Sequence, residues 1–230
     1  ALNSIGDSKN MLSTAEGGLR KIQDILVKMK NKAMEAIGDT IGQSERDAVA
    51  AQLKDYASEI NDIASQTQWN ATHLITGSGA TGYGAGAAQL SFLVDSSGGS
   101  VGFKFTNDVN GGFSLTGLGL TTGSSGTGGV GRVSAGGSTA FTVAQEIDTA
   151  LYRVKQGVRE VGSFMARLTF KEDALTVQYT NTEAAYNRIM NANMAEEQVE
   201  ASKYAILQQT ATAMLSQANV APQFILTLFR

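Results

Sequence analysis

The stretch Leu12-Ser-Thr-Ala15-Glu-Gly-Gly-Leu19-Arg-Lys-Ile22-Gln-Asp-Ile-Leu26-Val-Lys-Met29-Lys-Asn-Lys-Ala33-Met-Glu-Ala36 decides the architecture. Its apolar residues Leu12, Ala15, Leu19, Ile22, Leu26, Met29, Ala33 and Ala36 recur at alternating steps of three and four, which places them in one narrow stripe along a helix. A helix with so narrow a stripe is not stable alone in water, so the spacing predicts partner helices. Gly38 and Gly42, with Asp39 and Thr40, interrupt the pattern, and Ser44 with Asp47 three residues later reads as a capped restart. A second helix follows, with Val49, Leu53, Tyr56, Ile60 and Ile63 at the same steps. The short link predicts that the two are antiparallel neighbours.

The far side of the chain carries the same signature. Ile147, Leu151, Val154, Val158, Val161, Met165 and Leu168 form a third seam; Glu172 breaks the apolar run but not the register, which continues through Leu175, Tyr179, Thr182, Tyr186 and Ile189. Those 43 residues would make a helix roughly 65 Å long at about 1.5 Å per residue, which predicts a rod.

Between the seams the composition changes. Nineteen of the 26 glycines lie between Gly77 and Gly137, with only Asp95, Lys104, Asp108 and Arg132 as charges there. Leu90-Ser-Phe-Leu-Val94 and Val101-Gly-Phe-Lys-Phe105 alternate around Asp95-Ser-Ser-Gly-Gly-Ser100, which predicts a β-hairpin. Phe113, Leu115, Leu118 and Leu120 suggest a third extended piece over the helices, and the Gly/Ser/Thr tract from Thr121 to Gly137 an exposed loop or vestigial outer domain.

The C-terminal segment has no charged residue from Tyr204 to Phe229. Its apolar side chains, Ile206, Leu207, Met214, Leu215, Val220, Phe224, Ile225, Leu226, Leu228 and Phe229, do not keep to one face, so the helix calls for more than one neighbour. Gln208, Gln209, Gln217, Asn219, Pro222 and Gln223 are costly in lipid, which favours a protein–protein interior over a membrane span.

Composition removes most chemistry. A net charge of −3 gives no basic excess for neutralising phosphates, so nucleic acid is not expected as a partner. Without cysteine there are no disulfides, thiolate nucleophiles or cysteine metal sites, in the cytosol or in an exported protein alike. His73 is the only histidine, so His-based triads and zinc motifs fail; it follows Gln66-Thr-Gln-Trp-Asn70 and reads as a surface or helix-capping residue. Gly126-Thr-Gly-Gly-Val-Gly131 matches GxGxxG without a preceding strand or following helix, and Asp108-Val-Asn-Gly-Gly112 lacks the acids of a calcium loop. Glu196, Glu197 and Glu200 with Lys203 read as a solvated helix start, and Lys28, Lys30 and Lys32 as a solvated flank. No catalytic residue, cofactor or metal is expected, and the chain is not read as an enzyme. No basic-then-apolar leader opens the sequence, which begins at Ala1 within a helical pattern, so an upstream segment is expected to be missing.

The C-terminal run from Tyr186 through Asn-Arg-Ile-Met-Asn-Ala-Asn-Met-Ala-Glu-Glu, then Ala205-Ile-Leu-Gln-Gln-Thr-Ala-Thr-Ala-Met-Leu-Ser-Gln-Ala-Asn219 and Pro222-Gln-Phe-Ile-Leu-Thr-Leu-Phe-Arg230, closely resembles the C-terminal end of bacterial flagellins. Thr14-Ala-Glu-Gly-Gly-Leu19 and Gln66-Thr-Gln-Trp-Asn70 look like the flagellin Thr-Glu-Gly-Ala-Leu and Gln-Thr-Gln-Phe-Asn motifs. The resemblance implies a mainly α fold: an elongated antiparallel coiled-coil or helical-bundle rod, a small β-hairpin region and a C-terminal filament-core helix. The expected divisions are residues 1–76 and 138–193 for the two halves of the rod, 77–137 for the hairpin and variable outer loop, and 194–230 for the core helix.

The same resemblance implies a subunit that polymerises into the flagellar filament for motility, outside the cell, without a visible cleaved signal peptide. The ten apolar C-terminal residues named above would be the self-assembly surface. Implied partners are further flagellin copies, an export chaperone on the C-terminal helix, and junction and cap proteins. Flagellins carry some tens of residues before the position matching Ala1, which pair with the core helix, so this chain alone is not expected to polymerise. The alternative is a flagellin-like junction or cell-surface protein whose middle zone binds polysaccharide, with Tyr83, Phe92, Phe103, Phe105 and Phe113 as stacking candidates. A face recognised by a Toll-like receptor in the family maps to Leu26, Lys28, Lys30 and Gln52; Lys28 stands where an arginine fork is needed, so weak recognition is expected.

Overall fold

The computed structural model describes residues 2–38, 40–77, 90–94, 98–103, 105, 111–123 and 129–228, with the backbone alone at 77, 90, 111, 192–193 and 221–228. Three helices dominate: α1 (Leu2–Glu35), α2 (Gln43–Gln66) and α3 (Gly137–Leu228). Among the described residues, six short strands and a 3₁₀ helix lie between α2 and α3. The chain divides into two units, residues 1–175 and 176–230.

The first unit is a helical bundle. All eight residues of the α1 seam are buried, and the stripe extends back to Ile5, Ser8 and Met11. Arg46 Nη2 donates to the Gly38 carbonyl at 3.0 Å, closing the turn that sends α2 back along α1. The restart cap lies two residues earlier than the sequence suggested. Gly42 N–H donates to the Glu45 carboxylate at 3.2 Å; glycine has no side-chain oxygen to return the bond, so half of the reciprocal box forms. The buried face of α2 is Val49, Ala50, Leu53, Ala57, Ile60 and Ala64. Tyr56 and Ile63, expected in that seam, are half-buried at its edge, because the alanines let α2 come close to its neighbours.

Two ion pairs set the direction of α3 against α1: Lys30 with Asp148 at 2.7 Å and Lys9 with Glu172 at 2.8 Å. Low numbers on α1 meet high numbers on α3, so those helices are antiparallel, and α2 runs parallel to α3. Ile147, Leu151, Val154, Val161, Phe164 and Leu168 are buried, with Val158 and Met165 packed beside them.

The middle segment is held on this bundle by its aromatics. Strands β4 (Leu90–Leu93) and β5 (Ser100–Phe103) form the expected antiparallel hairpin, with Phe92 opposite Val101; its turn at 95–97 lies outside the described residues. Phe164 of α3 meets Phe92 at 5.5 Å and Phe103 at 4.9 Å between ring centroids. The stack continues through Phe105 to Phe113, whose ring covers Gly157, seven residues before Phe164 on the same face of α3.

Three features differ from the sequence expectation. Phe113, Leu115, Leu118 and Leu120 are buried in successive turns rather than a strand; Asn61 Oδ1 accepts from Leu115 N–H at 3.0 Å, and Arg153 Nη1 donates to the Gly117 carbonyl at 3.0 Å. Gly129 to Gly137 is not an exposed loop: Val130–Ala135 forms the 3₁₀ helix, with Val130 and Val133 fully buried. Arg132 pairs with Glu146 at 3.3 Å, and Gln43 donates to the Ser134 carbonyl at 2.7 Å. The third is an extra hairpin, β1 (Gln68–Trp69) with β2 (Thr72–His73), turned through Asn70 and Ala71, both at positive φ. Finally, β3 (Thr76–Gly77) pairs with β6 (Gly111–Gly112), so the segment between them leaves and returns at one place.

Gly18 shows how tightly the first hairpin seats. A Cβ there would collide with the Thr67 side chain, whose hydroxyl donates to the Ile63 carbonyl at 2.7 Å. Its neighbour Gly17 faces open space. Gly18→Ala is expected to lower stability by about 1–3 kcal/mol through overpacking. Gly17→Ala should raise it by about 1 kcal/mol through helix propensity. Urea unfolding followed by circular dichroism would read the two opposite signs.

Candidate assembly surface

The seam of α3 changes exposure along its length. Glu172 pairs with Lys9 at 2.8 Å, three residues before Leu175. Leu175 is half-buried, whereas Tyr179 is 62%, Tyr186 61% and Ile189 64% exposed. Leu175, Tyr179, Thr182, Tyr186 and Ile189 lie within about 80° of the circumference at roughly 100° per residue, a surface that suits one further helix.

Farther along, the surface widens. Val199, Tyr204, Ile206, Leu207, Met214, Leu215 and Val220 are exposed and spread over about 220° by the same reckoning, too broad for a single neighbour. Five of the ten residues singled out for self-assembly, Ile206, Leu207, Met214, Leu215 and Val220, therefore stand on this bare surface. The side chains of Phe224, Ile225, Leu226, Leu228 and Phe229 lie outside the described residues. Beyond Lys203 the described surface carries no charge; Glu196, Glu197, Glu200 and Lys203 precede that stretch, with Glu200 accepting from the Tyr204 hydroxyl at 3.2 Å. These acids do not cap a helix, since α3 passes through them without interruption. Among the described residues no helix is long and apolar enough to cross a membrane.

The remaining sequence candidates separate by burial. Leu26 is fully buried in the bundle core and offers nothing to a receptor. Lys28 and Gln52 are exposed, Lys30 is tied to Asp148, and Lys32 donates to Glu35 at 2.8 Å, a bond that raises the lysine pKa. Phe92, Phe103, Phe105 and Phe113 are at most 6% exposed, so their faces are spent on one another and on α3 rather than open to sugars; Tyr83 lies outside the described residues. His73 is half-buried in β2 rather than at a helix end, and its Nδ1 makes no hydrogen bond among the described residues. In the GxGxxG stretch, 126–128 lie outside the described residues, and Gly131 N–H donates to the Gly123 carbonyl at 3.2 Å. In the run from Asp108, 108–110 lie outside the described residues and Gly111–Gly112 is strand β6.

Paired N- and C-terminal helical regions are also what comparison with known proteins returns. The bacterial flagellin N-terminal helical region matches residues 2–80, and the bacterial flagellin C-terminal helical region matches residues 144–229. The chain belongs to the bacterial flagellin family.

Among relatives, it is 29% identical to the flagellar filament core protein flaB2 of Brachyspira hyodysenteriae, over 99% of this chain and 77% of that one. It is 25% identical to the flagellar filament 41 kDa core protein of Borreliella burgdorferi, over 96% of this chain and 79% of the relative. The crystal structure of Bacillus cereus flagellin shares the fold, with a TM-score of 0.59 and 24% identity over 80% of this chain and 95% of that one.

A surface lacking partners should also be the most accessible to protease. Brief trypsin treatment of the dilute chain is expected to cut first after Arg188 and Lys203, before Arg153 in the bundle, as read by mass spectrometry.

Proposed function

We propose that this chain is the structural subunit of the bacterial flagellar filament, with the apolar face of α3 from Leu175 onward as the contact that copies use to assemble. The observation that carries this reading is the continuous seam of α3, buried as far as Leu168 and bare from Tyr179. Apolar neighbours supplied by other copies would cover this face, which couples its ordering to polymer growth. Each copy uses one face to meet a different face of the next, so the association repeats without closing.

In this reading the ten C-terminal apolar residues form the filament interior, and the protein acts outside the cell after export. A chaperone that covers the C-terminal helix before export is the natural partner for so much exposed apolar surface, and junction and cap proteins would meet the same helices at the filament ends. The role in this reading is structural, as in the flagellin family.

Immunogold labelling of cells that produce the chain is expected to decorate flagellar filaments; label on the envelope with bare filaments would overturn the assignment. Met214→Glu should cut incorporation into filaments by more than about tenfold, because a carboxylate would be buried without a partner. The monomer's helix content should stay unchanged, since Met214 is 72% exposed there.

A further inference from the structure

A second exposed apolar patch lies within the first unit and is not accounted for by the α3 seam. It surrounds the Lys30–Asp148 bridge, which fixes the flanks of α1 and α3 that adjoin. Val27 and Met34 lie one turn before and after Lys30, and Phe141 and Tyr152 stand on the Asp148 flank of α3. They are 42%, 54%, 53% and 60% exposed, an unusual cluster of large apolar groups on a water-facing surface. Lys155 and Arg159 continue the α3 flank, with the Arg159 guanidinium 6.0 Å from the Tyr152 ring centroid.

The outer face of α2 has the complementary character. Ser44, Ala48, Ala51, Asp55, Ser58 and Asp62 are all exposed and follow one another at steps of four, three, four, three and four. The exposed flank of α3 keeps the same rhythm: Phe141, Gln145, Asp148, Tyr152, Lys155 and Arg159. Small side chains on one stripe leave room for the bulky ones on the other, and the carboxylates of one oppose the cations of the other.

Direction decides between the two ways of aligning them. Laid parallel, Arg159 meets Asp62 and Lys155 falls between Asp55 and Asp62. Laid antiparallel, Asp148 meets Asp55, while Arg159 and Lys155 face Ser44 and Ala48. Charge therefore favours the parallel register. Because α2 and α3 already run the same way within one chain, parallel docking leaves both copies pointing in one direction, as a polymer with polarity requires.

We infer that the α1–α3 patch around Phe141 and Tyr152 of one copy docks on the outer α2 face of a second copy, parallel and in register. The inference rests on the filament reading above and adds to it a contact between bundles, separate from the α3 face beyond Leu175.

The cysteine-free chain makes a direct test available. Concentrated full-length chains carrying single cysteines are mixed in pairs and treated with a short dithiol-reactive cross-linker. Gln145→Cys with Ala48→Cys is expected to give several-fold more heterodimer than Gln145→Cys with Ser58→Cys, the pair that the antiparallel register would bring together. The yield should fall several-fold between about 0.05 and about 0.5 M salt, as screening weakens the charge pairs. Adding Asp55→Lys and Asp62→Lys to the Ala48→Cys chain should abolish it, and adding Lys155→Glu and Arg159→Glu to the Gln145→Cys partner should restore it.

Equal yields from the two pairs, or a yield untouched by charge reversal, would overturn the contact. A Gln208→Cys chain serves as the control for the α3 face. If it cross-links to other copies while the Gln145 pairs do not, the filament reading stands and this contact falls. If the Gln145 pairs fail at every concentration the contact falls whatever the Gln208→Cys chain does, and the filament reading falls only if immunogold leaves the filaments bare.

Discussion

The structure depends on one constraint: a three-four apolar stripe must be covered, and along α3 the covered part ends before the stripe does. Up to Leu168 the stripe is closed by α1, α2 and the aromatic stack of the hairpin. From Tyr179 the same pattern continues against water. Nothing in the sequence rhythm changes at that point; only the exposure does.

The middle of the chain serves the finished part. Phe92, Phe103, Phe105 and Phe113 could each have been read as binding aromatics, yet they form a continuous run of rings from Phe164 to the bare backbone of Gly157. A glycine at 157 is required because the Phe113 ring occupies the space of its side chain. The glycine-rich composition of this zone therefore does not mean absence of structure. It lets backbone and rings approach one another closely, while buried leucines and valines anchor the turns.

The long elements were legible in the sequence because heptad spacing is a direct record of burial. All eight α1 positions, and the α3 run from Ile147 to Leu168, followed from spacing alone. Features set by small residues and local backbone were not. The α2 seam uses Ala57 and Ala64, which carry little hydrophobic signal of their own. The Asn70–Ala71 turn lacks the glycine that marks such hairpins, and Val130–Ala135 is buried through two valines within a Gly/Ser tract. The C-terminal stretch was readable as one whose apolar groups do not keep to one face, and those of them that are described are exposed. The patch at Phe141 and Tyr152 was not, because its meaning depends on the bridge that sets α1 beside α3.

The ladder that joins Thr76–Gly77 to Gly111–Gly112 has a consequence for variation. Because the two ends of the intervening segment sit side by side, extra residues spliced in ahead of the hairpin would not pry the helices apart. Doubling such a loop costs only about 0.6 kcal/mol in closure entropy. The paired strands thus let the segment between them change in length while the inner frame tolerates little change, as long as the three ring-bearing anchors Phe92, Phe103 and Phe105 are retained.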